Sequence, residues 1–161
     1  MDSVSRNVSV RRSNSSLYDV VGVRDMLERV PRYLFVLLAV YCGASLIHFV
    51  HNAELISEYP NLPAWLTRAK VYLAWFAITS VGIAGILLLK WGFRWLGLLA
   101  IAGYAALGFD GLGHYSLASV SAHTLAMNAT IWFEVVAAAG LLTATVALML
   151  SRRARSPSPG S

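Results

Sequence analysis

The sequence predicts an all-α membrane protein: a four-transmembrane-helix bundle preceded by an amphipathic helix in the membrane interface. Three observations carry this. The chain of 161 residues is 57% hydrophobic and only 13% charged, whereas soluble domains carry roughly 25% charged residues. Its apolar residues fall into four segments close to the ~20 residues a helix needs to cross hydrocarbon. Its Lys and Arg residues collect at alternate ends of those segments, as the positive-inside rule requires.

Taken in order, residues 1–18 are rich in Ser, Asn and Arg. They offer too little apolar surface to fold, so a disordered basic tail is expected. The polar start is also too long for the short n-region of a cleavable signal peptide. Over 19–32, Val20, Val21, Val23, Met26, Leu27 and Val30 are interspersed with Arg24, Asp25, Glu28 and Arg29. That pattern suits a helix lying in the interface, and Pro31 punctuates it. The bundle is expected over 33–150, with spans at about 33–50, 70–89, 93–109 and 122–150. The short connection Lys90–Arg94 makes the second and third spans a tight antiparallel hairpin. Residues 151–161 form a second basic, Ser/Pro-rich tail with no fold of its own.

Orientation follows from charge. Arg6, Arg11, Arg12, Arg24, Arg29 and Arg32 precede the first span, Lys90 and Arg94 lie in the hairpin, and Arg152, Arg153 and Arg155 follow the last span. The opposite side holds only Arg68 and Lys70. Both termini are therefore expected in the cytoplasm, in a multi-pass protein of the bacterial inner membrane. Tyr59, Trp65, Tyr72 and Tyr115 read as an aromatic belt on the far side. The net charge of +5 is spent on flanking the spans, which argues against a nucleic-acid partner. The expected partners are the lipid bilayer, a lipophilic substrate or another membrane protein. Cys42 is the one cysteine, which excludes an internal disulfide and multi-cysteine metal centres.

The chemistry lies at one end of the bundle. All four histidines, His48, His51, His114 and His123, fall at span ends on the extracytoplasmic side. Tyr41, Ser45, His48 and Asn52 recur at helical spacing and share one face of the first span. His123, Met127, Thr130 and Glu134 do the same on the fourth. Glu134 lies inside the hydrocarbon by about 1.5 Å per residue, so it should point into the bundle, protonated or paired. Asp110 and His114 share a face only if the helix continues through Gly111 and Gly113.

His48, His51, Asp110, His114 and His123 read as a metal set, since imidazole and carboxylate together suit Cu, Zn or Fe. The Asp110-x3-His114-x8-His123 pattern resembles the Asp/His/His copper site in the membrane subunit of particulate methane monooxygenases, where the last gap is longer. That resemblance covers three residues and implies copper as a candidate metal. Haem b, with His48 and His114 or His123 as axial ligands, is a second cofactor reading.

Glu134, His48 and His114 also read as a catalytic acid–base set. The run Cys42-Gly43 to His48 and the stretch Met127-Asn128 to Trp132 look like parts of the emopamil-binding family of sterol isomerases. In that family a His and carboxylates act within a small helical bundle. The resemblance implies acid–base chemistry on a lipid-like substrate. Asn52 stands where the family has an acidic residue, and the second span lacks the family's Glu, so the chain is not assigned to it.

The first functional expectation is therefore a metal- or redox-cofactor-binding membrane component. The alternatives are a membrane enzyme using His/Glu acid–base chemistry on a lipophilic substrate, isomerase- or cyclase-like, or a non-catalytic accessory subunit. The Pro- and aromatic-rich loop over 57–67 reads as a rigid cap near this end. No phosphate-binding loop and no Ser/His/Asp arrangement is present in the sequence.

Overall fold

The computed structural model describes residues 30–153. The expected tail over 1–18, nearly all of the expected interfacial helix over 19–32, and the end of the tail over 151–161 lie outside these residues. Among the described residues every regular element is helical, and four helices are long and apolar enough to cross a membrane.

Helix α1 spans Arg32–Glu54 and starts from Pro31, whose φ of −60° already suits the helix entry. It runs past the expected end at Val50. Its last inward residues, His48, Asn52 and Ala53, are buried in protein, so the polar end needs no water. Helix α2 spans Arg68–Lys90, and its N-cap Thr67 accepts a hydrogen bond from the Lys70 amide at 3.3 Å. Gly92 closes the turn that follows with a φ of 86°, a conformation glycine adopts at no steric cost.

Helix α3 spans Arg94–Leu107 and stops short of the expected boundary at Phe109. The chain then tightens into a 3-10 turn at Asp110–Gly113 and a single helical turn, α4, at His114–Leu117. The glycines break the regular helix, so Asp110 and His114 are not joined on one α-helical face. A second 3-10 turn at Val120–Ala122 occupies the expected start of the last span. Helix α5 begins later and spans Leu125–Arg153. The Thr124 hydroxyl accepts from the Met127 amide at 3.2 Å and caps it.

Helices α1 and α2, α2 and α3, α3 and α5, and α5 and α1 pack as neighbours, which arranges the four in a ring. The centre is filled by Leu34, Leu38, Tyr41, Leu98, Ile101, Tyr104, Ala138 and Leu141. Tyr41 of α1 and Tyr104 of α3 meet across it, their ring centroids 4.6 Å apart. Leu73, Phe76, Ile83, Leu99, Phe133 and Val136 point outward, the inverse of a soluble bundle and the expected face toward lipid.

Gly103 is exposed on α3, and a Cβ placed there meets nothing within 4 Å. Gly103→Ala should therefore stabilise the helix by about 0.5–1 kcal/mol, read as a raised thermal midpoint in detergent.

Candidate functional site

The inward stripe of α1 places Tyr41, Ser45, His48 and Asn52 in the interior, all buried. The stripe on α5 places Met127 and Glu134 opposite them, with Thr130 half-buried between. The two stripes meet where His48 Nε2 lies 3.7 Å from Glu134 Oε2, with the side chains 3% and 2% exposed.

The hydrogen-bond network sets the imidazole. The Thr130 hydroxyl donates to the Met127 carbonyl at 3.0 Å. Its oxygen can then only accept from His48 Nδ1–H, 3.5 Å away. That leaves the lone pair of His48 Nε2 turned toward Glu134. Oε2 of Glu134 has no hydrogen-bond partner. A bare imidazole nitrogen facing a bare carboxylate oxygen is unfavourable, and a proton held between them relieves it. The arrangement is a buried imidazole–carboxyl pair.

The neighbouring groups follow the same logic. Asn52 Nδ2 donates to His114 Nε2 at 3.2 Å, which puts the His114 proton on Nδ1. His114 Nδ1 and Asn52 Oδ1 are both buried without partners. The His48 and His114 rings stand edge to face with centroids 5.5 Å apart.

A pocket of about 320 Å³ opens on these groups. His48, Asn52, Asp110, His114 and Glu134 line it, with apolar walls from Phe49, Val71 and Leu107. Leu62, Pro63, Trp65 and Leu66 of the loop between α1 and α2 also line it, so that loop covers the histidine pocket. Among the described residues no Lys or Arg lines it. The Gly111 backbone lies against the pair: a Cβ there would sit 3.5 Å from Glu134 Oε2 and 3.8 Å from His48 Nε2.

The loop is stapled at both ends. Glu54 and Arg68 pair at 2.6 Å, and the Tyr72 hydroxyl donates to Glu54 at 2.5 Å. Asn61 takes a left-handed φ of 57° and donates through Nδ2 to the Leu117 carbonyl at 2.9 Å. Tyr59 belongs beneath the loop and not to the expected aromatic belt. It is 4% exposed, with its ring centroid 4.9 Å from that of His114 and 5.8 Å from that of His51. Burial pushes the Tyr59 phenol up to about 12, so the hydroxyl keeps its proton, and it is hydrogen-bonded with His51 Nδ1 at 2.9 Å. Tyr59→Phe should cost about 1 kcal/mol and loosen the cap, seen as faster protease cleavage within 55–67.

Among the described residues the expected metal set does not close on one point. His51 is engaged by Tyr59, and His123 Nδ1 donates to the Ser119 carbonyl at 2.9 Å. Asp110 is exposed in the 3-10 turn at the rim. Among the described residues no three His, Cys, Asp or Glu side chains are grouped to hold one metal ion. The structure thus brings together His48, Glu134, His114 and Asn52, and leaves His51, His123 and Asp110 around them. Tyr59 is the site residue that helical periodicity misses, because it lies in a loop where no periodic signal exists.

No family model, curated protein or solved structure matches the chain.

Proposed function

We propose that this chain is a multi-pass membrane enzyme that moves protons on a neutral lipophilic substrate, with His48 and Glu134 as the catalytic acid–base pair. The carrying observation is the buried His48–Glu134 couple, whose carboxylate oxygen has no partner and whose pocket sets it and a few further polar groups among apolar walls from Phe49, Leu62, Val71 and Leu107. A perturbed titratable pair in a cleft is where acid–base work is expected. The substrate class follows from the lining. Among the described residues its lining holds two carboxylates and no Lys or Arg, which disfavours an anionic phosphate or carboxylate headgroup. Its volume of about 320 Å³ suits the reactive end of a lipophile, at the lower end of the ~300–1,000 Å³ typical of ligand sites.

In this reading one member of the pair takes a proton from a substrate carbon and the couple returns one to another carbon. The reaction is an isomerisation or a proton-initiated cyclisation. It is redox-neutral and needs no co-reactant. His114, oriented by Asn52, is a positioning residue that offers Nδ1–H to a substrate oxygen. The Lys and Arg distribution supports cytoplasmic termini and a pocket on the extracytoplasmic side.

The test is a comparison of lipid extracts from host cells with and without the protein, by mass spectrometry. An isomeric conversion that depends on the protein and survives EDTA washing of the membranes is expected. Loss on chelation with recovery on adding metal would overturn the reading in favour of a metal centre. A host lipid profile unchanged by the protein, with Ala at His48 and Glu134 harmless to any phenotype, would leave an accessory subunit.

A further inference from the structure

We propose that a second pocket, at the midplane of the bundle, binds an uncharged lipophile through a single carbonyl oxygen, of the ketone or quinone type. The pocket has a volume of about 300 Å³ and lies between α1, α2 and α3. It shares no lining residue with the His48–Glu134 pocket. Its walls are apolar, and the polar groups on it are those of Cys42, Thr79 and Tyr104.

Two of these groups lack what burial demands. The Tyr104 hydroxyl and Thr79 Oγ1 are both buried and make no hydrogen bond of good geometry, though Thr79 and Cys42 lie beside that hydroxyl, and Tyr104 as a whole is 1% exposed. A hydroxyl left unpaired away from water is destabilising. The Tyr104 hydroxyl is also held in place. Its ring packs on Tyr41 and backs onto Gly82, where a Cβ would come within 2.7 Å of it. Its backbone carbonyl accepts from the Tyr41 hydroxyl at 3.2 Å. A fixed donor with no well-formed hydrogen bond, on an apolar wall, is a binding determinant.

Chemistry and depth together define the occupant. A carbonyl oxygen has two lone pairs and can accept from both hydroxyls at once. Cys42, Thr79 and Tyr104 lie near the middle of the helical stretches Arg32–Glu54, Arg68–Lys90 and Arg94–Leu117. A phospholipid keeps its charged headgroup and ester carbonyls at the interface, because taking them to the midplane forfeits their hydration. Only a molecule whose polar content is an isolated, uncharged oxygen reaches this depth. Ala39 and Ile83 at the pocket are exposed on the outer face, so entry is sideways from lipid. This inference rests on the membrane-spanning reading and not on the acid–base reading.

The test uses the full-length protein in phosphatidylcholine nanodiscs. Cys42, the one cysteine in the chain, lines the pocket and reports occupancy through its rate of labelling by N-ethylmaleimide, read by intact mass. The probe is a fully ring-substituted decyl-benzoquinone, which adds no thiol, and decylbenzene is the control without a carbonyl. Protection by the quinone and not by decylbenzene is expected. Tyr104→Phe should raise the half-protecting concentration about tenfold, and Ala39→Phe, which fills the mouth from the lipid side, should abolish protection. Circular dichroism checks that both variants fold.

Equal protection by decylbenzene, an unchanged concentration in Tyr104→Phe, a Cys42 that never labels, or a phospholipid co-purifying in the pocket would each overturn the proposal. Alkaline carbonate extraction separates the two failures. Release of the protein from membranes sinks the spanning reading itself, whereas retention without protection sinks only the pocket.

Discussion

Glu134→Gln should leave the bundle folded and lower substrate turnover by about 10²–10⁴-fold, the range attributed to a positioned general acid or base. The carboxamide keeps the shape of the side chain and fills the same space beside Gly111 and Ile131. It lacks only the ability to take and return a proton. Because Glu134 Oε2 has no hydrogen-bond partner within the protein, the substitution breaks no structural bond at that oxygen. If Glu134 merely fixed the packing of α5 against α1, the amide would serve nearly as well and turnover would hold. His48→Gln should cost a comparable factor, and the double variant little more, since paired groups acting as one unit are far from additive. His51→Gln is the matched control. It removes a histidine engaged with Tyr59 rather than with the pair, and turnover should change by no more than a few-fold. The measurement is the initial rate of the isomeric conversion in membranes carrying equal amounts of each variant.

Gly108→Ala should be the most damaging small substitution in the bundle. A Cβ at that position would lie 2.6 Å from the Tyr41 ring and 2.7 Å from the Ala138 Cβ. Those neighbours sit on α1 and α5, so one added methyl must push two helices away from α3 at once. Neither can give cheaply. Ala138 is fully buried with its Cβ rooted in the α5 backbone, and Tyr41 is held by its hydrogen bond to Tyr104 and its ring contact. Overpacking of this kind costs about 1–3 kcal/mol, equivalent to a fall in thermal midpoint of roughly 2–12 °C at this chain length. Gly103→Ala, on the same helix but with open space around it, should move the midpoint the other way. The pair of variants separates close packing from helix propensity. A Gly108→Ala protein as stable as the parent would mean that α1, α3 and α5 do not meet as described.

Much of this architecture is legible in the sequence because segments apolar and long enough to cross hydrocarbon obey a simple rule. A stretch such as Val71–Leu89 can satisfy its backbone only as a helix, and its length then follows from bilayer thickness. The two polar stripes were equally readable, since Tyr41, Ser45, His48 and Asn52 keep helical phase and so do Met127 and Glu134. Periodicity fails where the helix does. The 3-10 turn at Asp110–Gly113 changes the phase between Asp110 and His114, so their spacing said nothing reliable about a shared face. Nor does spacing tell how a histidine spends its nitrogens. His51 and His123 lie near the site in sequence and space, and each engages Nδ1 with a local partner, Tyr59 and the Ser119 carbonyl. Residue types alone do not show whether the remaining nitrogens converge, and among the described residues no three such groups do. Tyr59 escaped notice because an aromatic flanking a span is ordinarily an interfacial anchor. Only the fold of the loop around Asn61 turns it inward.

Solvent isotope incorporation tests the central claim most directly. The conversion is run in D2O with membranes carrying the wild-type protein or Glu134→Gln, and the product is weighed by mass spectrometry. Proton transfer through the His48–Glu134 pair predicts a wild-type product carrying solvent deuterium on carbon, and negligible deuterated product with Glu134→Gln. A wild-type product free of solvent deuterium, or one formed and labelled equally well by Glu134→Gln, would contradict it.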